Sequence, residues 1–179
     1  GEREVLAPIR ELIATAGLGG AVSAFALPGQ ERLAAAYRYF AERRSVFCLT
    51  ALYEPFGLAP LEAAAAGLPL VVTRNGGPSE SLVEGTTEYG VLVDPADPAA
   101  VAAGLRRALG PEWDDLAVRG RRRVLDRYTW DRTAQGYLAA IERATAAPER
   151  DLLPIPEWFG DPAGHDGFGV DDLADLYLG

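Results

Sequence analysis

The sequence has one cysteine, one histidine and no methionine, and arginine supplies all of its other basic residues. A single cysteine cannot form a disulfide within the chain. No apolar run approaches the roughly 20 residues that a membrane span requires, and no segment resembling a secretion signal opens the chain. These absences predict a cytoplasmic protein without a membrane span. The missing initiator methionine indicates processing, cleavage or a fragment.

Charge and length narrow the class of protein further. A formal net charge of −9 would repel a nucleic-acid backbone, because proteins bind that backbone through Lys and Arg. We therefore expect no nucleic-acid partner. A chain of 179 residues with 49% hydrophobic and 24% charged residues is typical of one soluble globular domain.

Helical and strand patterns alternate along the chain. Apolar periodicity and short apolar runs predict helices at 2–16, 30–43, 60–66, 98–109, 113–127 and 130–146, and strands at 21–27, 45–50, 70–73 and 90–93. Ser79 is expected to cap a further short helix. We expect strand 45–50 to be central and buried on both faces, with Cys48 as a buried hydrophobe. The alternation predicts an α/β fold with a Rossmann-like, doubly wound parallel sheet.

The composition changes after Pro148, which predicts a boundary between an α/β domain at 1–147 and a tail at 148–179. The tail is rich in Pro, Gly and Asp and shows no clear periodicity until residue 171. His165 lies in it and is expected to be solvated. We expect the tail either to be mobile or to dock through its aromatic residues, Trp158, Phe159, Phe168 and Tyr177.

The most informative segment is Tyr53-Glu-Pro-Phe-Gly-Leu-Ala-Pro-Leu-Glu62, in which seven residues separate Glu54 from Glu62. Glu54 is expected just beyond the carboxyl end of a parallel strand, where ligands bind in open α/β sheets. Glu62 is expected in the first turn of the next helix. Gly57 permits close approach of a ligand, and amides at a helix start attract phosphate. Because carboxylates accept hydrogen bonds from sugar hydroxyls, this loop could hold both ends of a nucleotide sugar.

This segment resembles the corresponding part of retaining glycosyltransferases that have the GT-B fold. These enzymes are of the glycosyl transferases group 1 (family 4) type. The likeness is greatest to the sucrose-phosphate synthases. It extends over roughly residues 21–109 and includes the stretch 45–62, Gly67-Leu-Pro69 and Thr73-Arg-Asn-Gly-Gly-Pro78. The resemblance implies that the chain is the C-terminal, donor-binding half of such an enzyme, incomplete at its N-terminal side.

The resemblance also implies roles for individual residues. Glu54 is the candidate catalytic residue and lies against the donor hexose, and Glu62 binds the ribose hydroxyls. The sugar and diphosphate are faced by the backbone amides of four candidate donor-binding residues, Phe56, Gly57, Leu58 and Ala59. The implied reaction transfers a hexose from UDP- or ADP-glucose to a sugar phosphate with retention, and the departing diphosphate is stabilised electrostatically. The motif implies no metal and no cofactor besides this donor substrate.

The sequence departs from the family pattern at its start. Members of this family begin the C-terminal domain with two further strand–helix units, which carry an Arg and a Lys that clamp the diphosphate. Their N-terminal domain binds the acceptor and supplies a histidine, to which His165 cannot be matched. The four strands here would then be the third to sixth of a sheet ordered 3-2-1-4-5-6. We expect the isolated chain to be inactive, with the sugar-phosphate acceptor bound through the missing domain.

Two other functions remain open from the sequence. The chain could be a non-catalytic nucleotide-sugar-binding or interaction fragment, or part of a nucleotide-sugar epimerase on the same two-domain scaffold. The loop of Glu54 and the Asn75-Gly-Gly-Pro78 turn resemble the transferases more closely.

Ligand contact by Arg74 is not favoured. A solvated helix face that pairs with neighbouring acids is the favoured interpretation of a run of arginines, Arg119, Arg121, Arg122 and Arg123.

Overall fold

A computed structural model describes residues 2–147 of the chain. Their helices are α1 (Glu2–Thr15), α2 (Gln30–Glu42), α3 (Leu58–Ala65), α4 (Gly77–Ser81), α5 (Pro98–Leu109), α6 (Trp113–Arg127) and α7 (Trp130–Ala146). Their strands are β1 (Phe47–Leu49), β2 (Leu70–Thr73), β3 (Val83–Glu84), β4 (Thr87–Glu88) and β5 (Val91–Val93). The predicted α/β class is therefore confirmed.

Three of the strands form a parallel sheet in the order β1-β2-β5. Phe47 of β1 is in register with Leu70 of β2, and Val71 of β2 is in register with Val91 of β5. These strands are neighbours in the order in which the chain makes them. That order agrees with the fourth to sixth positions expected for a doubly wound sheet.

Strand β2 lies at the centre of the sheet, and all four of its residues are buried. Successive side chains of a strand point to opposite faces, so each face of β2 contributes to a different core cluster. Leu70 and Val72 pack with α3 and Leu82, whereas Val71 packs with Ala108 of α5 and Leu116 of α6. Helices thus cover both faces of the sheet, which fixes the position of the loops that leave its carboxyl edge.

The three helices predicted in the second half of the sequence are confirmed, and each begins and ends at the predicted residue. Helices α5, α6 and α7 have the predicted bounds. Pro98 opens α5, where its missing N–H costs nothing, and the side chain of Asp97 accepts a hydrogen bond from the Ala99 amide at 2.8 Å. At the other end of the chain, Gly17 follows α1 with φ of 67°, which favours glycine at a helix C-terminus.

The strand predicted at 21–27 is wrong. This segment forms no strand, and Val22, Phe25 and Leu27 are exposed. An extended apolar segment becomes a strand only by hydrogen bonding to a neighbour. No residue within 2–147 pairs with it as a strand.

The prediction that strand 45–50 is central and buried on both faces is also wrong. Among the described residues, β1 is an edge strand that pairs only with β2. Cys48 is exposed rather than buried. Neighbouring atoms nevertheless desolvate its sulfur partly and raise the pKa of the thiol, which disfavours the nucleophilic thiolate.

Three local details differ from the predictions. Helix α4 begins at Gly77 after an N-cap at Gly76, so Ser79 does not cap it and instead donates to the Gly76 carbonyl at 2.7 Å. Helix α3 begins at Leu58, two residues early, which puts Glu62 in its second turn. The antiparallel hairpin of β3 and β4, which turns at Gly85 with φ of 60°, was not predicted from the sequence.

The described residues divide into two units between residues 134 and 135, and the sheet belongs to the first. The boundary predicted at 147–148 coincides with the end of the described residues and stays a prediction. The aromatic residues of the tail and His165 lie outside the described residues. Among residues 2–147, no helix combines the length and the apolar character needed to cross a membrane.

Candidate functional site

The loop after β1 and the turn after β2 are joined side by side at the carboxyl edge of the sheet. The amide of Glu54 donates to the carbonyl of Asn75 at 3.1 Å, and the amide of Gly77 donates to the carbonyl of Glu54 at 2.9 Å. Glu54 and Gly76 form an isolated parallel bridge. The predicted site loop and the glycine turn therefore form one backbone unit, at the edge where α/β sheets bind ligands.

Two glycines make this close contact possible. Gly76 has φ of 96°, and a Cβ atom there would collide with the Glu54 carbonyl oxygen. A Cβ atom on Gly77 would lie 2.6 Å from the Cα atom of Phe56. Since backbone atoms cannot move aside as a flexible side chain can, only glycine permits the loop and the turn to lie this close.

Asn75 fixes the other side of the turn. Its side-chain amide donates to the carbonyl of Leu52 at 2.9 Å, and its backbone amide donates to the hydroxyl of buried Thr73 at 3.1 Å. The turn is thereby tied both to the end of β2 and to the loop that carries Glu54. This explains how a loop without regular structure can hold a carboxylate in place.

The side chain of Glu54 is half-buried and lies beside the start of α3. One of its carboxylate oxygens accepts a hydrogen bond from the Phe56 amide at 3.4 Å. That bond occupies one of the four amides predicted to face a ligand. The carboxylate can still accept further hydrogen bonds from hydroxyl groups, because its two oxygens offer more acceptor sites than this one bond uses.

Helix α3 begins without a capping side chain. Its N-cap is Gly57, with φ of 95° and ψ of 49°, a left-handed conformation that disfavours residues with a Cβ atom. The first amides of a helix have no acceptor within the helix, and they combine with the helix dipole to attract anions. Gly57 is buried, whereas Phe56, Leu58 and Ala59 are exposed around it. This end of α3 can therefore offer backbone donors to a phosphate.

Glu62 is exposed on α3, above a buried layer that anchors the helix. Pro60, Leu61 and Ala63 form this layer, so the side chain of Glu62 points away from the core. The half-buried Tyr37 of α2 lies close to it. Partial burial, and then the negative charge of Glu62, raise the pKa of the Tyr37 hydroxyl. Both effects favour the protonated hydroxyl of Tyr37 over its anion.

Arg74 follows β2 at the same edge but faces a different groove. It forms an ion pair of 2.7 Å with Asp94, the residue after β5. The two residues border an open groove of about 460 Å³ along β5 and α5, to which Leu92, Asp97 and Arg107 also contribute. Neither Glu54 nor Glu62 lines this groove, so it is separate from the predicted site.

The arginine run on α6 is only partly solvated. Arg119 pairs with Asp115 at 2.8 Å and Arg122 pairs with Asp126 at 3.5 Å, as predicted for a charged helix face. Arg123 is different, because only 8% of its surface is exposed. The sequence interpretation of this residue was wrong, because the partners of its hydrogen bond and ion pair, Ser81 and Glu84, lie about 40 residues earlier in the chain.

A helix-flanked parallel sheet, with a glycine turn and an uncapped helix start at its carboxyl edge, defines a Rossmann-like domain of the α/β class. The model of the family described as glycosyl transferases group 1 matches residues 1–122. The chain belongs to that family.

Individual relatives agree with this assignment. The chain is 38% identical over 138 residues to a probable sucrose-phosphate synthase of Thermosipho melanesiensis, covering 77% of this chain and 30% of that protein. It is 34% identical over 143 residues to sucrose-phosphate synthase 4 of Arabidopsis thaliana, covering 77% of this chain and 13% of that protein. The chain thus spans less than a third of these curated relatives.

A solved structure supports the fold. The sucrose-phosphate synthase of Thermosynechococcus elongatus matches with a TM-score of 0.60 and 30% identity. The match covers 77% of this chain and 34% of that one. The matched residues therefore have the fold of one part of a GT-B glycosyltransferase.

Proposed function

We propose that this chain binds the nucleotide-sugar donor of a retaining hexosyltransferase, with the site formed by the Glu54 loop and the start of α3. The observation that carries the proposal is the pair of backbone hydrogen bonds between Glu54 and the Asn75–Gly77 turn. They hold a carboxylate beside an uncapped helix start at the carboxyl edge of a parallel sheet. Membership of the glycosyl transferases group 1 family supports the same function.

Each end of the site suits a different part of the donor. Glu54 accepts hydrogen bonds from hexose hydroxyls near the reacting carbon, and the start of α3 binds the diphosphate through its free amides. Glu62, exposed one turn further along α3, binds the ribose hydroxyls. When the bond to the hexose breaks, negative charge grows on the diphosphate. Amides already aimed at that charge stabilise the transition state.

The donor proposed is UDP- or ADP-glucose, and the acceptor is a sugar phosphate. This choice rests on the relatives, whose names describe them as sucrose-phosphate synthases.

The proposed site uses backbone amides and carboxylates in place of a metal. Addition of a chelator should therefore leave donor binding unchanged.

Calorimetric titration of the 179-residue chain with UDP, UDP-glucose and ADP-glucose tests the proposal. Replacing Glu62 by alanine should weaken nucleotide binding by about 1.5 to 3 kcal/mol, because a charged hydrogen-bond acceptor for the ribose is lost. Glu142→Ala, on an exposed position of α7, serves as the control and should bind as the unmodified chain does. If a folded chain binds none of the three compounds, the proposal is wrong.

We expect the isolated chain to bind the donor without transferring its hexose. The match to the relative from Thermosipho melanesiensis spans 30% of that protein, and we propose that the acceptor site belongs to a further domain or chain. Incubation with UDP- or ADP-glucose and fructose 6-phosphate should yield no disaccharide phosphate above background. Robust transfer by the purified chain would contradict this expectation.

A further inference from the structure

Arg123 is the most buried charged residue on α6, and four groups surround its guanidinium. Its Nε atom donates to the carbonyl of Ser81 at 3.1 Å, and its Nη1 atom pairs with the carboxylate of Glu84 at 3.1 Å. The guanidinium also lies over the rings of Tyr89 and Tyr128, at 4.8 and 5.9 Å from their centres. These residues form what we call the arginine cluster.

Glu84 completes the cluster from the hairpin side. Its carboxylate also pairs with Arg127 at 3.0 Å and accepts a hydrogen bond from the hydroxyl of Tyr89 at 3.2 Å. The hydrogen bond from Arg123, more than any other contact, holds the pKa of the Glu84 carboxyl below its usual range. These contacts therefore keep the Glu84 carboxylate charged to a lower pH than an unpaired glutamate.

The arginine cluster is one short helix away from the candidate site. Ser81, whose carbonyl Arg123 binds, is the last residue of α4, and the hydroxyl of Tyr128 donates to the same carbonyl at 3.4 Å. Gly77, the first residue of α4, donates its amide to Glu54. Because α4 has only five residues, we expect a displacement of its C-terminal end to displace the turn at its start.

We propose that Arg123 is a positioning residue for Glu54, acting through α4 and the Asn75–Gly77 turn. Its role is to hold α4 in the one position in which Gly77 binds the Glu54 carbonyl, and so to set the carboxylate against the hexose of the donor. This inference rests on the proposed function and deepens it. Arg123 touches no part of the proposed donor, and its effect is transmitted through backbone hydrogen bonds.

Arginine suits this role in a way that lysine does not. Its planar guanidinium binds Ser81 and Glu84 with two different nitrogens and stacks on an aromatic ring at the same time, whereas lysine has a single nitrogen on a flexible chain. Arg123→Lys keeps the charge and the approximate length. It should therefore lose the fixed geometry while the core around it stays packed.

The test compares binding of the nucleotide with binding of the nucleotide sugar. In Arg123→Lys, we expect the affinity for UDP-glucose or ADP-glucose to fall about tenfold, while the affinity for UDP or ADP changes less than twofold. General loss of stability would not produce this difference in a variant that is folded at the measuring temperature. Arg122→Lys, on an exposed position of the same helix, is the matched control.

A second measurement follows the turn itself. Hydrogen exchange at the amides of Glu54 and Gly77 should become at least tenfold faster in Arg123→Lys than in Arg122→Lys. Glu84→Gln, which leaves the arginine in place, should show smaller changes of the same kind and replaces Arg123→Lys should that variant not fold.

The possible results distinguish a failure of the positioning role of Arg123 from a failure of the proposed donor-binding function. Unchanged exchange in a folded variant would overturn the positioning role, and so would faster exchange with an unchanged preference for the nucleotide sugar over the nucleotide. If the unmodified chain binds no nucleotide sugar, the proposed function fails and the hexose half of this inference fails with it. The exchange measurement then still decides whether Arg123 holds the turn.

Discussion

Replacing Gly77 with alanine is expected to lower the affinity for the nucleotide sugar by about 5- to 150-fold. A Cβ atom at this position would lie 2.6 Å from the Cα atom of Phe56 and closer still to its carbonyl oxygen. Both atoms belong to the backbone, so the Glu54 loop must move as a whole. Overpacking of this kind typically costs about 1–3 kcal/mol. Here that cost falls on the hydrogen bond that holds the proposed catalytic residue.

Calorimetric titration of Gly77→Ala beside Gly136→Ala measures this effect. Gly136 lies within α7 and has no atom within 4 Å of the position of an added Cβ, so alanine there should leave affinity unchanged. The same substitution would even stabilise the helix by roughly 0.5–1 kcal/mol. A folded Gly77→Ala variant that binds the donor within twofold of the unmodified chain would show that the joined loop and turn do not form the site.

Replacing Leu70 with alanine is expected to reduce the free energy of unfolding by about 2–5 kcal/mol. Leu70 is fully buried in the central strand and packs in the core cluster with Leu82 and Val124. Removing three carbon atoms there leaves a cavity that a close-packed sheet with helices on both faces cannot easily fill. The measurement is urea unfolding followed by circular dichroism.

Leu109→Ala is the matched control for Leu70. Leu109 ends α5 and 59% of its surface is exposed, so its truncation should change the free energy of unfolding by less than about 0.5 kcal/mol. A similar loss of stability in the two variants would mean that β2 is not the centre of the folded core.

Local patterns sufficed for most of the fold. The apolar periodicity of α5, α6 and α7 and the continuous run of β2 depend on neighbours close in sequence, and their bounds were predicted correctly. The segment at 21–27 has an equally apolar pattern but forms no strand. Pairing, which a pattern cannot reveal, decides whether such a segment becomes a strand.

Burial was predicted less well than secondary structure. The run around Cys48 is apolar enough for a central strand, yet β1 pairs on one side only among the described residues. The β3–β4 hairpin was missed because each of its strands has two residues, too few to establish an alternating pattern. A turn centred on Gly85 was the one local signal for it.

The candidate site, too, was predicted from the sequence only where it depends on local motifs. The spacing of Glu54 and Glu62 and the Asn75-Gly-Gly turn are local motifs, and they sufficed to select the loops that the structure joins. The role of Gly77 depends on its approach to Phe56, and the burial of Arg123 depends on Ser81 and Glu84. Contacts between distant segments of the chain leave no local signal in one sequence.

The most direct test of the central claim is to map the donor on the chain by nuclear magnetic resonance of its amides. On addition of UDP-glucose or ADP-glucose, we expect the largest shifts at Gly57, Leu58 and Gly77, with smaller ones near Glu62. Shifts concentrated instead along the separate groove of Arg74, Asp94 and Arg107 would contradict the proposed site.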